Sequence, residues 1–235
     1  MKRYFIFLLI ILLTECYAQA QFAFGIRTGL NLTYESFIDN TVVQKTVKGK
    51  TETKPGIQFG VVGEYAFPNS FGIQSGFLLY THGSKTFVAT STFGTPKIIY
   101  EYRITDIINY FRLPVNVQYK LDLGNLKLLF QAGPYLGIAL NGNRKTEIKM
   151  IEIIYGMYDD EFDGSRTYYE KIKFGKEVWE QKRHDYGLGL SFGAQSGNIQ
   201  TVVGYNKGLL NLSRADWNSW KNDGLAITLT YLFGN

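Results

Sequence analysis

Phe22-Ala23-Phe24-Gly25-Ile26-Arg27-Thr28-Gly29-Leu30-Asn31-Leu32-Thr33-Tyr34 alternates in side-chain character with a single exception. One set of side chains is Phe22, Phe24, Ile26, Leu30, Leu32 and Tyr34, broken only by Thr28. The other is Ala23, Gly25, Arg27, Gly29, Asn31 and Thr33. A strand points successive side chains to opposite faces, so this stretch is a strand with one greasy face and one small or polar face. The same pattern recurs at 56–67, 71–82, 103–121, 126–141, 184–194, 199–211 and 224–233. That makes eight expected strands.

The links between them alternate in length. Those at 68–70, 122–125 and 195–198 are tight, whereas 35–55, 83–102, 142–183 and 212–223 are long. Short turns on one side and long loops on the other describe an antiparallel up-and-down β-barrel of the transmembrane kind. Closure removes every strand edge, which is the condition for β-structure inside hydrocarbon. The polar face is built of Gly, Asn, Gln, Ser and single charges, a composition for packing a narrow lumen. Aromatics gather near strand ends (Tyr34, Tyr65, Phe67, Phe71, Tyr119, Phe192, Phe233) where interfacial girdles sit. The greasy face is therefore expected to meet lipid, and the fold class is all-β.

The N-terminus carries the address. Lys2 and Arg3 precede an apolar run from Tyr4 to Leu13, and Ala18-Gln19-Ala20 follows. This is the order of a secretory signal peptide, with cleavage expected after Ala20. Glu15 before Cys16 does not suit a lipoprotein signal. Cleavage would remove the chain's one cysteine, and with it disulfides and thiol chemistry. The expected organisation is a signal peptide at 1–20 and one barrel domain at 21–235, located in the bacterial outer membrane.

Composition agrees. The 235 residues include 17 Tyr, 17 Phe and 25 Gly, against five Pro and three Met, which suits many strands separated by turns. A net charge of +5 without a basic block argues against nucleic acid as a partner. Outer-membrane lipid is the expected surrounding and a monomer the expected state.

Charges on the inward face need partners, because a lone charge in a dry lumen is costly. Counting from the turns puts Arg27 and Glu64 near one level on neighbouring strands, so an ion pair is expected. Arg112 and Asp185 lie higher and are expected to meet across the interior.

Several segments resemble the PorT-like outer-membrane β-barrel proteins of Bacteroidetes. Phe24-Gly25-Ile26-Arg27-Thr28-Gly29-Leu30-Asn31 is similar to that family's opening strand, Arg112-Leu113-Pro114-Val115 to its proline-bearing strand, and Gln131-Ala132-Gly133-Pro134-Tyr135-Leu136-Gly137 to its fifth. Gly204-Tyr205-Asn206-Lys207-Gly208-Leu209-Leu210-Asn211 is similar to its seventh. The resemblance implies the fold and the location and names no catalytic or ligand residue. Its namesake's link to protein secretion makes an accessory role in secretion one alternative. The chain departs from the usual terminal aromatic, since Gly234 and Asn235 follow Phe233.

Few constellations could carry chemistry. Two His exclude a His-rich metal site, and no phosphate-binding glycine loop occurs, so no metal and no cofactor are expected. His82 and Ser84 share a strand face, which makes a membrane-embedded lipid-modifying hydrolase a second alternative. No companion acid can be named. The loop at 142–183 holds Tyr155, Tyr158, Phe162, Tyr168, Tyr169 and Trp179, a candidate surface for a protein or glycan partner. Within it, Glu147–Ile154 and Tyr168–Val178 are expected to pair as a hairpin. The leading expectation is a non-enzymatic barrel with a structural, binding or envelope-accessory role, too narrow for a wide pore.

Overall fold

The computed structural model describes residues 21–39, 48–91, 97–154, 157–159, 164–215 and 218–233. The segment 1–20, on which the signal-peptide expectation rests, lies outside them. The strands are β1 (Gln21–Asp39), β2 (Lys48–Ala66), β3 (Phe71–Ser91), β4 (Lys97–Asp122), β5 (Lys127–Ile154), β6 (Met157–Asp159), β7 (Arg166–Lys171), β8 (His184–Ser196), β9 (Ile199–Gly208) and β10 (Asn218–Phe233). Eight of these pair antiparallel in a closed ring that runs β1-β2-β3-β4-β5-β8-β9-β10 and returns to β1. The short β6 and β7 add to β5 outside that cycle.

Alternation decides the facing. Phe24, Ile26, Leu30, Phe59, Val61, Phe77, Leu79, Leu188, Ile227 and Leu229 are exposed on the outer surface. Arg27, Asn31, Gln58, Glu64, Gln74, Gln118, Gln131, Gln200 and Thr230 are buried inside. Aromatic pairs meet at tilted angles across neighbouring strands toward the tight turns, including Phe71 with Tyr119 and Phe130 with Phe192. The apolar belt stops at an outward ladder of amides and a hydroxyl. There the Thr81 hydroxyl donates to Asn109 Oδ1 (2.9 Å) and Asn109 Nδ2 donates to Asn141 Oδ1 (2.8 Å). Two tight turns place a glycine at positive φ, Gly124 at 87° and Gly197 at 52°. The Asp122 carboxylate accepts the Gly124 amide at 2.8 Å.

Three expectations need correction. The central strands run well past their expected ends: β3 continues to Ser91, β4 begins at Lys97 and β5 continues to Ile154. Above the belt the sequence mixes charged and apolar residues, as in Glu147-Ile148-Lys149-Met150 and Asp106-Ile107-Ile108, so the period-2 signal blurs while the backbone ladder goes on. The loop hairpin also differs, because Arg166–Lys171 pairs with Asn143–Ile148 and the chain then leaves the sheet. It leaves because Ile172 and Phe174 turn in to cover Tyr80, Ile108, Tyr110 and Ala139. The seventh ring strand ends at Gly208 rather than 211, and the eighth begins at Asn218.

Above Thr33 and Lys54 the ring divides. The upper parts of β1 and β10 remain paired as a two-stranded arm, from Tyr34 with Asp223 to Asp39 with Asn218. The upper parts of β2 to β5, with β7, form the second arm. No β1–β2 rung is made above Thr33 with Lys54 among the described residues.

Candidate functional site

The interior is filled in layers. Nearest the tight turns, the Glu64 carboxylate is the hub. Lys120 Nζ bonds to its Oε1, and Gln200 Nε2 (2.8 Å) and Gln74 Nε2 (3.1 Å) donate to its Oε2. Lys120 also donates to Gln195 Oε1 at 2.9 Å. Gln131 ties Gln74 (3.2 Å) to Gln118 (3.1 Å). Arg27 lies in the same network but is not ion-paired with Glu64. Its Nη2 bonds to Gln74 Oε1, and its Nε donates to Thr230 Oγ1 at 2.9 Å. The expected Arg27–Glu64 pair is thus corrected: Gln74 stands between them and Lys120 takes the carboxylate. The register explains it. Arg27 pairs with Gly60 whereas Glu64 pairs with Ala23, so the two charges sit four rungs apart (27 − 23).

A second layer centres on Arg112. Its guanidinium is sandwiched 3.7 Å from the Tyr80 ring centre and 3.9 Å from that of Tyr135. The structure brings its Nη2 to 3.6 Å from Asp185 Oδ2, with the Asp185 side chain fully buried. Asn222 Nδ2 bridges Asp185 Oδ2 and Tyr110 Oη, each at 3.1 Å. Between the layers is a cavity of about 70 Å³ bordered by Arg27, Gln58, Tyr80, Arg112 and Gln131. Beyond it, Ile172 and Phe174 cap the apolar cluster.

The cap is tied down by backbone bonds running from β5 to β10. Ile172 N donates to Gly142 O (2.9 Å), Gln181 N to Lys173 O (3.0 Å), Lys182 N to Leu212 O (3.0 Å) and Leu212 N to Trp220 O (2.8 Å). The lumen is therefore closed by polar layers from one end and by an apolar cap from the other.

A third cluster lies above the belt. Arg144 donates through Nε and Nη2 to the two oxygens of Asp106, at 2.8 and 2.6 Å. This fork geometry raises the guanidinium's affinity for its proton. Glu170 stands 4.0 Å from Arg144 Nη1. Glu35 of β1 is buried nearby and takes a side-chain hydrogen bond from Ser84. Burial first, and the neighbouring Asp106 second, push its carboxyl up to about 7. This cluster is not legible in the sequence: Glu35 and Arg144 fall beyond the expected strands, and alternation alone names no partner for Asp106 inside the fourth.

The hydrolase pair is placed within this region. His82 and Ser84 are both buried on the inner face, and the Ser84 hydroxyl is given to Glu35. Of the surface set, Tyr168, Tyr169 and Trp179 are exposed, the last two at 77% and 76%. Tyr155 and Phe162 lie outside the described residues, and Tyr158 is described only as backbone of β6. Among the described residues, no three acidic, His or Cys side chains gather as a metal would require.

A closed antiparallel ring with a greasy exterior and a packed polar interior defines an outer-membrane barrel protein, and comparison with known proteins agrees. Residues 17–214 match the family described as outer membrane protein beta-barrel domain, and the chain belongs to that family. Its location is the bacterial outer membrane. No curated protein sequence matches it. Among solved structures it is similar to the outer membrane protein OprG from Pseudomonas aeruginosa, at 12% identity and a TM-score of 0.44, covering 91% of this chain and 96% of that one. It is also similar to the attachment invasion locus protein Ail of Yersinia pestis, at 14% identity and a TM-score of 0.34, covering 91% and 99%. Neisserial surface protein A matches at 11% identity and a TM-score of 0.30, covering 89% and 97%.

Proposed function

We propose that the mature chain, released by cleavage after Ala20, is an eight-stranded transmembrane barrel of the PorT-like type. In this reading it acts as a non-enzymatic binding or envelope-accessory protein. The tight turns face the periplasm, and the extended arms stand outside the cell. The carrying observation is the pairing of a filled lumen with a projecting, aromatic-bearing sheet. Eight strands leave an interior only wide enough for side chains, and here those side chains fill it in hydrogen-bonded layers. Passage through the middle is thus disfavoured, and recognition falls to the projection.

On that projection Tyr169 borders a groove of about 410 Å³ together with Lys54, Ile107, Lys145 and Lys171. Trp179 is exposed on the segment that follows β7. Exposed aromatics supply contact area at little entropic cost, which suits a protein or glycan partner. The hydrolase reading is disfavoured by the burial of His82 and Ser84 and by the commitment of Ser84 to Glu35.

The test uses the intact barrel in detergent as bait for envelope extracts and for a glycan panel. A ligand retained by the parent and released by a Tyr169→Ala, Trp179→Ala double variant supports the surface. Equal retention by both removes the aromatics from the site.

A further inference from the structure

Above the belt the mouth has two seams, and they are closed very differently. On the β5–β10 side, four backbone bonds run in sequence through the cap. On the β1–β2 side no rung is made above Thr33 with Lys54, among the described residues. Side chains of β1 do the bridging there. The Thr33 hydroxyl donates to Gly83 O (2.7 Å) and its oxygen accepts the Gly83 amide (2.8 Å), so one side chain stands in for a missing rung. One step on along the inner face, Glu35 meets Ser84. The β1–β10 arm is thus held to β3 by a hydroxyl and a buried carboxyl.

The surroundings of Glu35 are short of positive charge. From β3 it faces Ser84, with His82 next along the same face. From β4 it faces Asp106 and, lower down, Tyr110; from β5 it faces Arg144, with Glu170 of β7 beyond. The inward side chains of β10 nearby, Asn222 and Trp220, are uncharged, and Lys221 points to the other face. On β2, Lys54 lies over Gly83 on the outer face. Arg144 gives two hydrogen bonds to Asp106, and no cation forms an ion pair with Glu35 among the described residues.

We propose that Glu35 is a proton-operated latch on the β1–β2 seam. Carrying a proton it sits at ease against Ser84 beside Asp106, and the arms stay together. Ionised, it is a buried anion facing a second anion that already holds the nearest guanidinium, and the seam loosens. The opposing terms can be ranked. The Ser84 bond and the attraction of Arg144 favour the anion, but burial and Asp106 outweigh them and hold the carboxyl up near 7. The cost of ionisation therefore builds as pH rises from the ordinary carboxylate range towards 7, and is complete above it. The latch holds in mildly acidic surroundings and gives in mildly alkaline ones. It is a property of the ring's far end and holds whichever side of the membrane that end faces.

Hydrogen exchange of the intact barrel, followed over residues 33–36 and 82–84 by mass spectrometry, tests it. After correction for intrinsic exchange, protection should fall by about tenfold or more between about pH 5.5 and about pH 8.5. The Glu35→Gln variant should stay protected at both. Equal protection of the parent at both pH values, or a pH response that survives in Glu35→Gln, overturns the latch. Should that variant fail to assemble, carbon-13 detection of glutamate carboxyls in the parent decides. One carboxyl titrating near neutrality supports the latch, whereas all titrating in the ordinary range sinks it.

Discussion

Glu64 and Lys120 form a buried ion pair in the layer nearest the tight turns. The Glu64 side chain is 1% exposed, and two of the three side chains bonded to it, Gln74 and Gln200, are neutral amides. Lys120 is the cation bonded directly to it. Removing one member of a buried pair leaves an uncompensated charge, at a cost of about 3–5 kcal/mol. Lys120→Met should lower unfolding stability in lipid vesicles by that order, and adding Glu64→Gln should recover most of the loss. A small effect of Lys120→Met alone would mean that water reaches Glu64. The alternation of residues tells which side chains share the lumen, and hence that Arg27, Glu64, Arg112 and Asp185 need partners. Which partner each finds is set by the stagger of strands around the ring. Arg27 and Glu64 are near neighbours when counted from the turns, yet four rungs separate them along the β1–β2 ladder.

At the scale of elements, β4 and β5 show what hydrophobic period reveals and what it hides. Inside the belt the alternation from Phe111 to Leu121 is plain in the sequence, and the ladder follows it. Outside the belt β4 continues down in number to Lys97, where Ile98, Tyr100, Tyr102 and Ile104 recur at every second residue while Ile99 interrupts the polar face. The candidate cluster lies above the belt, with Asp106 inside the expected fourth strand and Arg144 and Glu35 past the expected ends of theirs. Within the belt the two strands also approach closely. A Cβ placed on Gly133 would lie 1.9 Å from Val115 O, beside Pro134, which has no amide to give the ladder. Gly133→Ala must therefore push β4 and β5 apart, at a cost of about 1–3 kcal/mol from overpacking. Chemical unfolding in vesicles measures it, and an unchanged midpoint would show that the strands shift freely there.

The ring as a whole makes sense only with its surroundings. An exterior carrying Phe24, Leu30, Phe59, Val61, Phe77, Leu188 and Ile227 would be a large apolar patch in water, yet it is the face lipid tails require. The interior, by contrast, hydrogen-bonds to itself. This arrangement is the reverse of a soluble barrel, whose core would be apolar, and the difference can be read from the depth dependence of one substitution. Val61 is exposed near the middle of the belt on β2, and Phe67 is exposed just past the turn end of the same strand. If the belt faces hydrocarbon, Val61→Arg should cost about 2–4 kcal/mol and Phe67→Arg about 0–1 kcal/mol, because the penalty for a charge on the lipid face falls from the midplane to the interface. Folding equilibria of both variants in vesicles supply the comparison. Equal costs would mean that the two positions see the same medium, and the bilayer would then not be the solvent that orders this surface.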